Sequence, residues 1–383
     1  MVISILIYNL ILLFSAFFIY LSEKIKSKYS AFLISSISFL FIYIPAAIRY
    51  NIGTDYWAFA ELFEDIKNGE RTYMEYGYYL LNKVIAILGL SVEWYFAIIS
   101  FITYILLYKA LPRHNKVIFF IPLYTISYLM SYTSLRSAIV LMISLIIIFS
   151  YINEPEKKLK RFLWLLIGFS IHTSIIFLLI LPILNNRLLN FFIRKYTLFI
   201  IFILILFFIF RIPIINIILG LSIWDYLPYG NYIKSPLFTQ IKEMNSGVGM
   251  LIKITPLLLV IFFVKDIIKN NKRNIIYIYL CLLTIISIIL ASTIDIFSRL
   301  DRFFSFTYPL SLWLIWNIYR FKERKLFVIF AILGYLLLFE INIIKSPSWE
   351  CDGQRIWPYV TIFNKEDDQS LGIPRTQCSI IME

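Results

Sequence analysis

The segment AFLISSISFLFIYIPAAI, residues 31–48, is a continuous apolar run, close in length to the ~20 residues that a helix needs to cross a bilayer core. It ends in Arg49-Tyr50-Asn51-Ile52-Gly53-Thr54-Asp55-Tyr56, which brings a cation, a turn glycine, a carboxylate and aromatics together just past the run. A lone charge after a membrane span is ordinary. A cation, a turn and an acid together, in a chain that is otherwise mostly hydrocarbon, point to a polar site at the membrane surface.

The rest of the chain has the same character. Hydrophobic residues make up 60% of the 383, and only 15% are charged, more apolar surface than a soluble domain can hide. The runs are unbroken and lack the alternation of a barrel strand, so the expected fold is an all-α polytopic membrane protein. The net charge of +13 is not a nucleic-acid footprint. Lys24, Lys26 and Lys28, then Lys109, Arg113 and Lys116, then Lys157, Lys158, Lys160 and Arg161, and later Lys265, Lys269, Lys272 and Arg273 all fall in short loops between apolar runs. Such cations stay on the cytoplasmic side.

Read with that rule, the chain has roughly 11–12 crossing segments, with the N-terminus and the C-terminal tail both extracytoplasmic. Met1 to Leu21 has no basic residues before it and no small-residue cleavage site, so it reads as a retained span. Residues 1–345 read as one transmembrane domain and 346–383 as a polar external tail. Tyr76 to Leu90 is short and interrupted by Lys83, which suits a helix lying in the interface. Phe162 to Leu184 carries Gly168, Ser170, His172, Thr173 and Ser174 near its middle and basic residues at both flanks. Two short helices with His172 at an external turn satisfy both flanks. Cys281 lies in a span; Cys351 and Cys378 lie in the tail and could pair only in an oxidising compartment.

The exceptions to the charge rule carry the functional signal. Arg49, Arg136, Arg299 and Arg302 fall at external span ends, and Asp55, Glu75, Asp295 and Asp301 share that face, with His172 if the two-helix reading holds. Any one arginine could snorkel or pair with a neighbouring acid, as Arg302 could with Asp301. Four on one face suit a phosphate ligand, because guanidinium forks match phosphate oxygens and hold their charge at every relevant pH. Neutralising a pyrophosphate leaving group is work that positioned cations can do. Transfer to a hydroxyl also needs a general base, for which His172, Asp55 and Glu75 are the candidates. Histidine titrates near neutral pH unaided, which favours His172, with Asp55 orienting an arginine or the acceptor. The other histidine, His114, sits in a basic loop.

Trp224, Tyr226, Tyr229 and Tyr232 share one external loop and could stack on sugar rings or form an interfacial aromatic belt. The external residues contain no paired-acid D-x-D element, and one histidine cannot build a zinc site, so no metal and no cofactor is expected. There is no phosphate-cradling glycine loop, no G-x-S-x-G elbow and no Cys/His nucleophile pair.

Several short pieces, in order, resemble the EpsG-type branch of the Wzy-like bacterial polysaccharide polymerases. They are Arg49 through Gly53-Thr54-Asp55-Tyr56, Glu75-Tyr76-Gly77-Tyr78, Leu135-Arg136-Ser137-Ala138, His172-Thr173-Ser174, Arg299-Leu300-Asp301-Arg302-Phe303-Phe304 and Trp357-Pro358-Tyr359. Ser137 departs from the glutamine often found after that arginine in the family. The resemblance implies a glycosyltransferase of the bacterial cytoplasmic membrane. It would join undecaprenyl-pyrophosphate-linked oligosaccharide repeat units of exopolysaccharide, capsule or O-antigen at the outer face, beside a flippase and a chain-length regulator. Two other classes compete: a polyprenyl-phosphate-sugar glycosyltransferase with an acid in its first external loop, where Asp55 sits, and a non-enzymatic lipid-linked oligosaccharide flippase. A flippase needs a hydrophilic path through the membrane centre, and the middles of these runs carry almost no charge.

Overall fold

The computed structural model describes residues 1–70, 72, 74–184, 191, 193–222, 239, 241, 247–318, 321–348 and 353–365. Among them are helices, turns and two isolated bridges, with no strand. Six described helices are long and apolar enough to cross a membrane: Val2–Lys24, Lys28–Ile48, Val92–Ala110, Leu135–Asn153, Lys272–Ala291 and Arg324–Ile344. Thr197–Ile209 and Arg211–Leu219 pass the same test as a pair bent by 75°. Lys116–Ser127, Thr173–Leu184 and Val248–Phe262 are shorter apolar helices. The protein is an all-α polytopic membrane protein.

The chain divides into two compact units, Met1–Phe177 with Tyr335–Glu383, and Leu178–Gly334. In the first unit the helices are α1 (Val2–Lys24), α2 (Lys28–Ile48), α3 (Tyr56–Lys67), α4 (Tyr76–Ile87), α5 (Val92–Ala110), α6 (Lys116–Ser127), α7 (Met130–Thr133), α8 (Leu135–Asn153) and α9 (Lys158–Ile171). α1 packs along α2, α2 along α5, α5 along α8 and α8 along α9. Hydrocarbon offers no hydrophobic drive between such helices, so close packing and interhelical hydrogen bonds hold them. Ser38 Oγ donates to the Ser15 carbonyl at 2.6 Å and Ser15 Oγ to the Ser38 carbonyl at 3.3 Å, a reciprocal pair between α1 and α2. α8 is the core helix, buried along almost its whole length.

The C-terminal end of α2 organises its surroundings. A helix leaves its last carbonyls without partners. Here the Pro45 carbonyl accepts from Tyr359 Oη at 2.6 Å, the Ala46 carbonyl accepts from the Arg49 guanidinium and from Ser100 Oγ, and the Ile48 carbonyl accepts from the Ile362 amide at 2.9 Å. Two of these donors come from residues 353–365, within the stretch that reads from sequence as a polar external tail. They fold back as a strap. The Tyr50 amide donates to the Val360 carbonyl, the Gly53 amide to the Arg355 carbonyl, Tyr8 Oη to the Ile356 carbonyl and the Tyr359 amide to Ser4 Oγ. Lys365 Nζ closes the strap on Glu93 at 2.6 Å. Gly53 has φ +107°, and a Cβ there would lie 2.3 Å from the Tyr132 carbonyl oxygen. Only glycine takes that turn at that distance.

α4 is 12 residues long, about 18 Å at 1.5 Å per residue, too short to cross a ~30 Å core. It packs on α3 and α9. α9 ends at Ile171, His172 is extended, and a 3-10 helix resumes at Thr173. The break expected at His172 is therefore present in the chain.

In the second unit, Val248–Phe262 packs on Ile275–Ala291 and Thr307–Trp316. Thr284 and Thr307 share a buried hydroxyl bond of 2.8 Å between the last two.

Candidate active site

The site is built where α4 meets α9 and the start of α8. Glu75 is the residue before the first turn of α4, where the helix dipole favours an anion. One carboxylate oxygen pairs with His172 Nδ1 at 2.8 Å and also accepts from the Thr173 amide at 3.3 Å. The other pairs with Arg136 Nη1 at 2.5 Å. Burial by itself raises the Glu75 carboxyl pKa. The hydrogen bond from His172 and the charge of Arg136 outweigh it and hold the carboxyl down to about 2. Glu75 is thus a fixed anion between an imidazole and a guanidinium. The Glu75 side chain is 16% exposed, that of His172 24% and that of Arg136 33%. All three therefore border accessible space.

The floor beneath this cluster is aromatic. The Arg136 guanidinium carbon lies 5.8 Å from the centre of the Tyr78 ring, and the buried Tyr78 and Tyr95 hydroxyls bond at 2.6 Å. Glu75 and Tyr78 are three apart at the start of α4, on one helical face. The sequence held that spacing in Glu75-Tyr76-Gly77-Tyr78, but its use as a floor under Arg136 was not read. Gly77 allows α4 to reach α9: a Cβ there would lie 2.2 Å from Ser170 Oγ and 2.6 Å from Ser170 Cβ. Gly77→Ala should therefore push α4 away and part Glu75 from His172. The expected result is a lowered melting temperature and at least about ten-fold lower activity. Adding Ser170→Gly should recover part of both, since it removes two of the three crowding atoms. A Gly77→Ala protein with wild-type activity would show that this contact does not position the site.

Arg49 is placed differently. It is 1% exposed, with Nη1 donating to the Ala46 carbonyl and, at 2.9 Å, to Ser100 Oγ. Its guanidinium carbon stands 4.5 Å from the Tyr132 ring centre and 5.2 Å from that of Phe96. It is a cation closing the end of α2 inside an aromatic box, and it meets no solvent. Its Nε and Nη2 are buried without a hydrogen-bond partner among the described residues. Asp55 is exposed at the start of α3, close enough for its charge to favour the charged form of Arg355.

Arg299 and Arg302 belong to the second unit, where both are exposed. The partners of Asp301 are Tyr308, whose Oη donates to it at 2.6 Å, and Lys253, whose Nζ lies 3.5 Å away. Arg302 Nε donates to the Ser298 carbonyl. Asp295 opens the short 3-10 turn before them. Trp224, Tyr226, Tyr229, Tyr232, Cys351 and Cys378 lie outside the described residues. Of the residues singled out from sequence, the structure thus joins Glu75, Arg136 and His172 directly.

No curated protein and no solved structure matches the chain. The model of the EpsG family matches residues 32–361. That span takes in most of α2, every residue of the Glu75 cluster, Arg299 and Arg302 of the second unit and most of the strap. The chain belongs to the EpsG family.

Proposed function

We propose that this protein is a membrane glycosyltransferase that polymerises polyprenyl-pyrophosphate-linked oligosaccharide repeat units at the outer face of the cytoplasmic membrane. Family membership supports the polysaccharide-polymerase class. The observation that carries the chemistry is the Glu75 carboxylate held between His172 Nδ1 and Arg136.

With Nδ1–H donating to Glu75, the lone pair of His172 sits on Nε2, the nitrogen that can take a proton. A third group that fixes the tautomer and ring of a catalytic histidine, and stabilises the imidazolium that forms, is a recurring arrangement. Glu75, already a strongly paired anion, is the orienter and not the base. In the proposed step an acceptor-sugar hydroxyl loses its proton to His172 Nε2 as its oxygen bonds to the anomeric carbon of the donor. The bond from that carbon to the pyrophosphate oxygen breaks, and the electron pair leaves with polyprenyl pyrophosphate. Arg136 spends one N–H on Glu75 and keeps others for the leaving group, whose charge it offsets. Arg49 supports the site as the buried cation under the strap. Trp224, Tyr226 and Tyr229 are the proposed sugar-stacking residues. Flippase and chain-length regulator are the proposed membrane partners.

The test is polymer length on a gel from cells lacking their own copy of the gene. Wild-type protein should restore a ladder, and Arg136→Lys should restore little of it while inserting normally, because lysine keeps the charge and loses the fork. A normal ladder from Arg136→Lys would remove the guanidinium from the mechanism. Single repeat units from the wild type would remove polymerisation itself.

A further inference from the structure

The second unit carries a cleft of about 430 Å³ between the start of helix Thr197–Ile209 and the end of helix Val248–Phe262. Arg194, Lys195 and Lys265 line it together with Leu198, Phe199 and Phe262. The three cations come from two separate segments of the chain, and all three are exposed. No salt bridge reaches any of them among the described residues. Like charges gathered at one cleft repel each other unless an anion joins them.

The apolar side of the same cleft is open. Leu198 is 71% exposed, Phe199 59% and Phe262 55%, and all three lie on helices made of membrane-apolar residues. Cations at the helix ends and bare hydrocarbon walls beside them match a molecule that is anionic at one end and aliphatic at the other. A soluble anion would use the cations and leave the walls idle. By the charge pattern of the sequence, Arg194, Lys195 and Lys265 lie at the cytoplasmic surface, and basic clefts between membrane helices on that side suit anionic lipid headgroups.

We infer that this cleft binds an anionic phospholipid, its headgroup phosphate among Arg194, Lys195 and Lys265 and its acyl chains against Leu198, Phe199 and Phe262. The site is independent of the Glu75 cluster, and its occupancy does not depend on the protein being a polymerase.

The full chain should be placed in nanodiscs containing equal parts of phosphatidylglycerol and phosphatidylcholine, extracted gently, and its retained lipid counted by native mass spectrometry. The wild type should retain phosphatidylglycerol in preference to phosphatidylcholine. Arg194→Gln, Lys195→Gln and Lys265→Gln should each lower that preference about five-fold, the factor expected for one basic side chain near an anionic surface. Lys157→Gln/Lys158→Gln/Lys160→Gln, which alters a basic loop of the first unit, should leave it unchanged. Three results would overturn the proposal: a wild type with no preference, an equal loss in the control triple variant, or displacement of the lipid by inorganic phosphate at millimolar concentration. The last would make the cleft a site for free phosphate. A wild type with no preference overturns the proposal without any variant having to fold.

Discussion

His172→Ala is expected to slow transfer by at least about 10²-fold while donor binding stays near wild type. A sugar hydroxyl is a weak nucleophile until its proton leaves as the new bond forms, and a positioned base typically contributes about 10²–10⁴-fold. The loss should fall on the rate at saturating donor, because His172 acts on the acceptor proton and Arg136 on the pyrophosphate. The assay is single-turnover transfer with purified protein and lipid-linked repeat units, with donor affinity measured separately. His172 sits at a chain break with its ring one-quarter exposed, so truncating it should cost little packing. If His172→Ala transferred at the wild-type rate while Asp55→Asn was dead, the acid at the start of α3 would be the base, and the polyprenyl-phosphate-sugar class would gain.

Glu75→Gln should be as damaging as loss of the histidine. An amide can turn its NH2 toward Nδ1 and hold the imidazole in the opposite tautomer, with the proton on Nε2 where the acceptor must give one up. In a histidine–carboxylate pair of this type that single change costs on the order of 10⁴-fold. The same substitution strips Arg136 of its partner. Glu75→Gln and His172→Ala should also be far from additive, since the two residues act as one unit. The pair has a pH signature as well. The Glu75 carboxyl is depressed from 4.5 to about 2 in the folded protein. A depressed acid contributes stability that is complete above its unfolded value and is lost as pH falls through the folded one. The stability gap between wild type and Glu75→Gln, read by thermal unfolding, should therefore be constant above pH 4.5 and shrink toward pH 2. A gap that did not change over that window would mean that the pairing contributes nothing to the fold.

How legible the protein was in its sequence differs from element to element. α1, α2, α5 and α8 were plain because each is a long apolar run bounded by charge. α4 was plain because Lys83 and its length bar it from crossing. The break at His172 was read from polar residues massed in the middle of an apolar run. The joining of Glu75 to His172 was not readable. The two are 97 residues apart, and what brings them together is the close approach of Gly77 to Ser170, a packing fact with no local signature. Arg49 was read as a surface cation because it follows a span. It is buried because residues 353–365 return over it, and that stretch has neither the length nor the hydropathy that announces a packed element. Its hold on the structure is backbone hydrogen bonding and the Tyr359 hydroxyl, which composition does not reveal. Asp301 likewise answers to Lys253 and Tyr308, both distant from it in sequence or on the next helix, where adjacency alone had suggested Arg302.

The central claim is that a glycosidic bond is made with polyprenyl pyrophosphate as the leaving group. The most direct measurement is reconstitution of the wild-type protein in liposomes with one defined lipid-linked repeat unit, followed by mass spectrometry of both the glycan and the freed lipid. The account predicts oligomers of the repeat unit, with one polyprenyl pyrophosphate released for each new linkage. Release of polyprenyl monophosphate with single-sugar transfer, or movement of the lipid-linked unit between leaflets with no new bond, would contradict it.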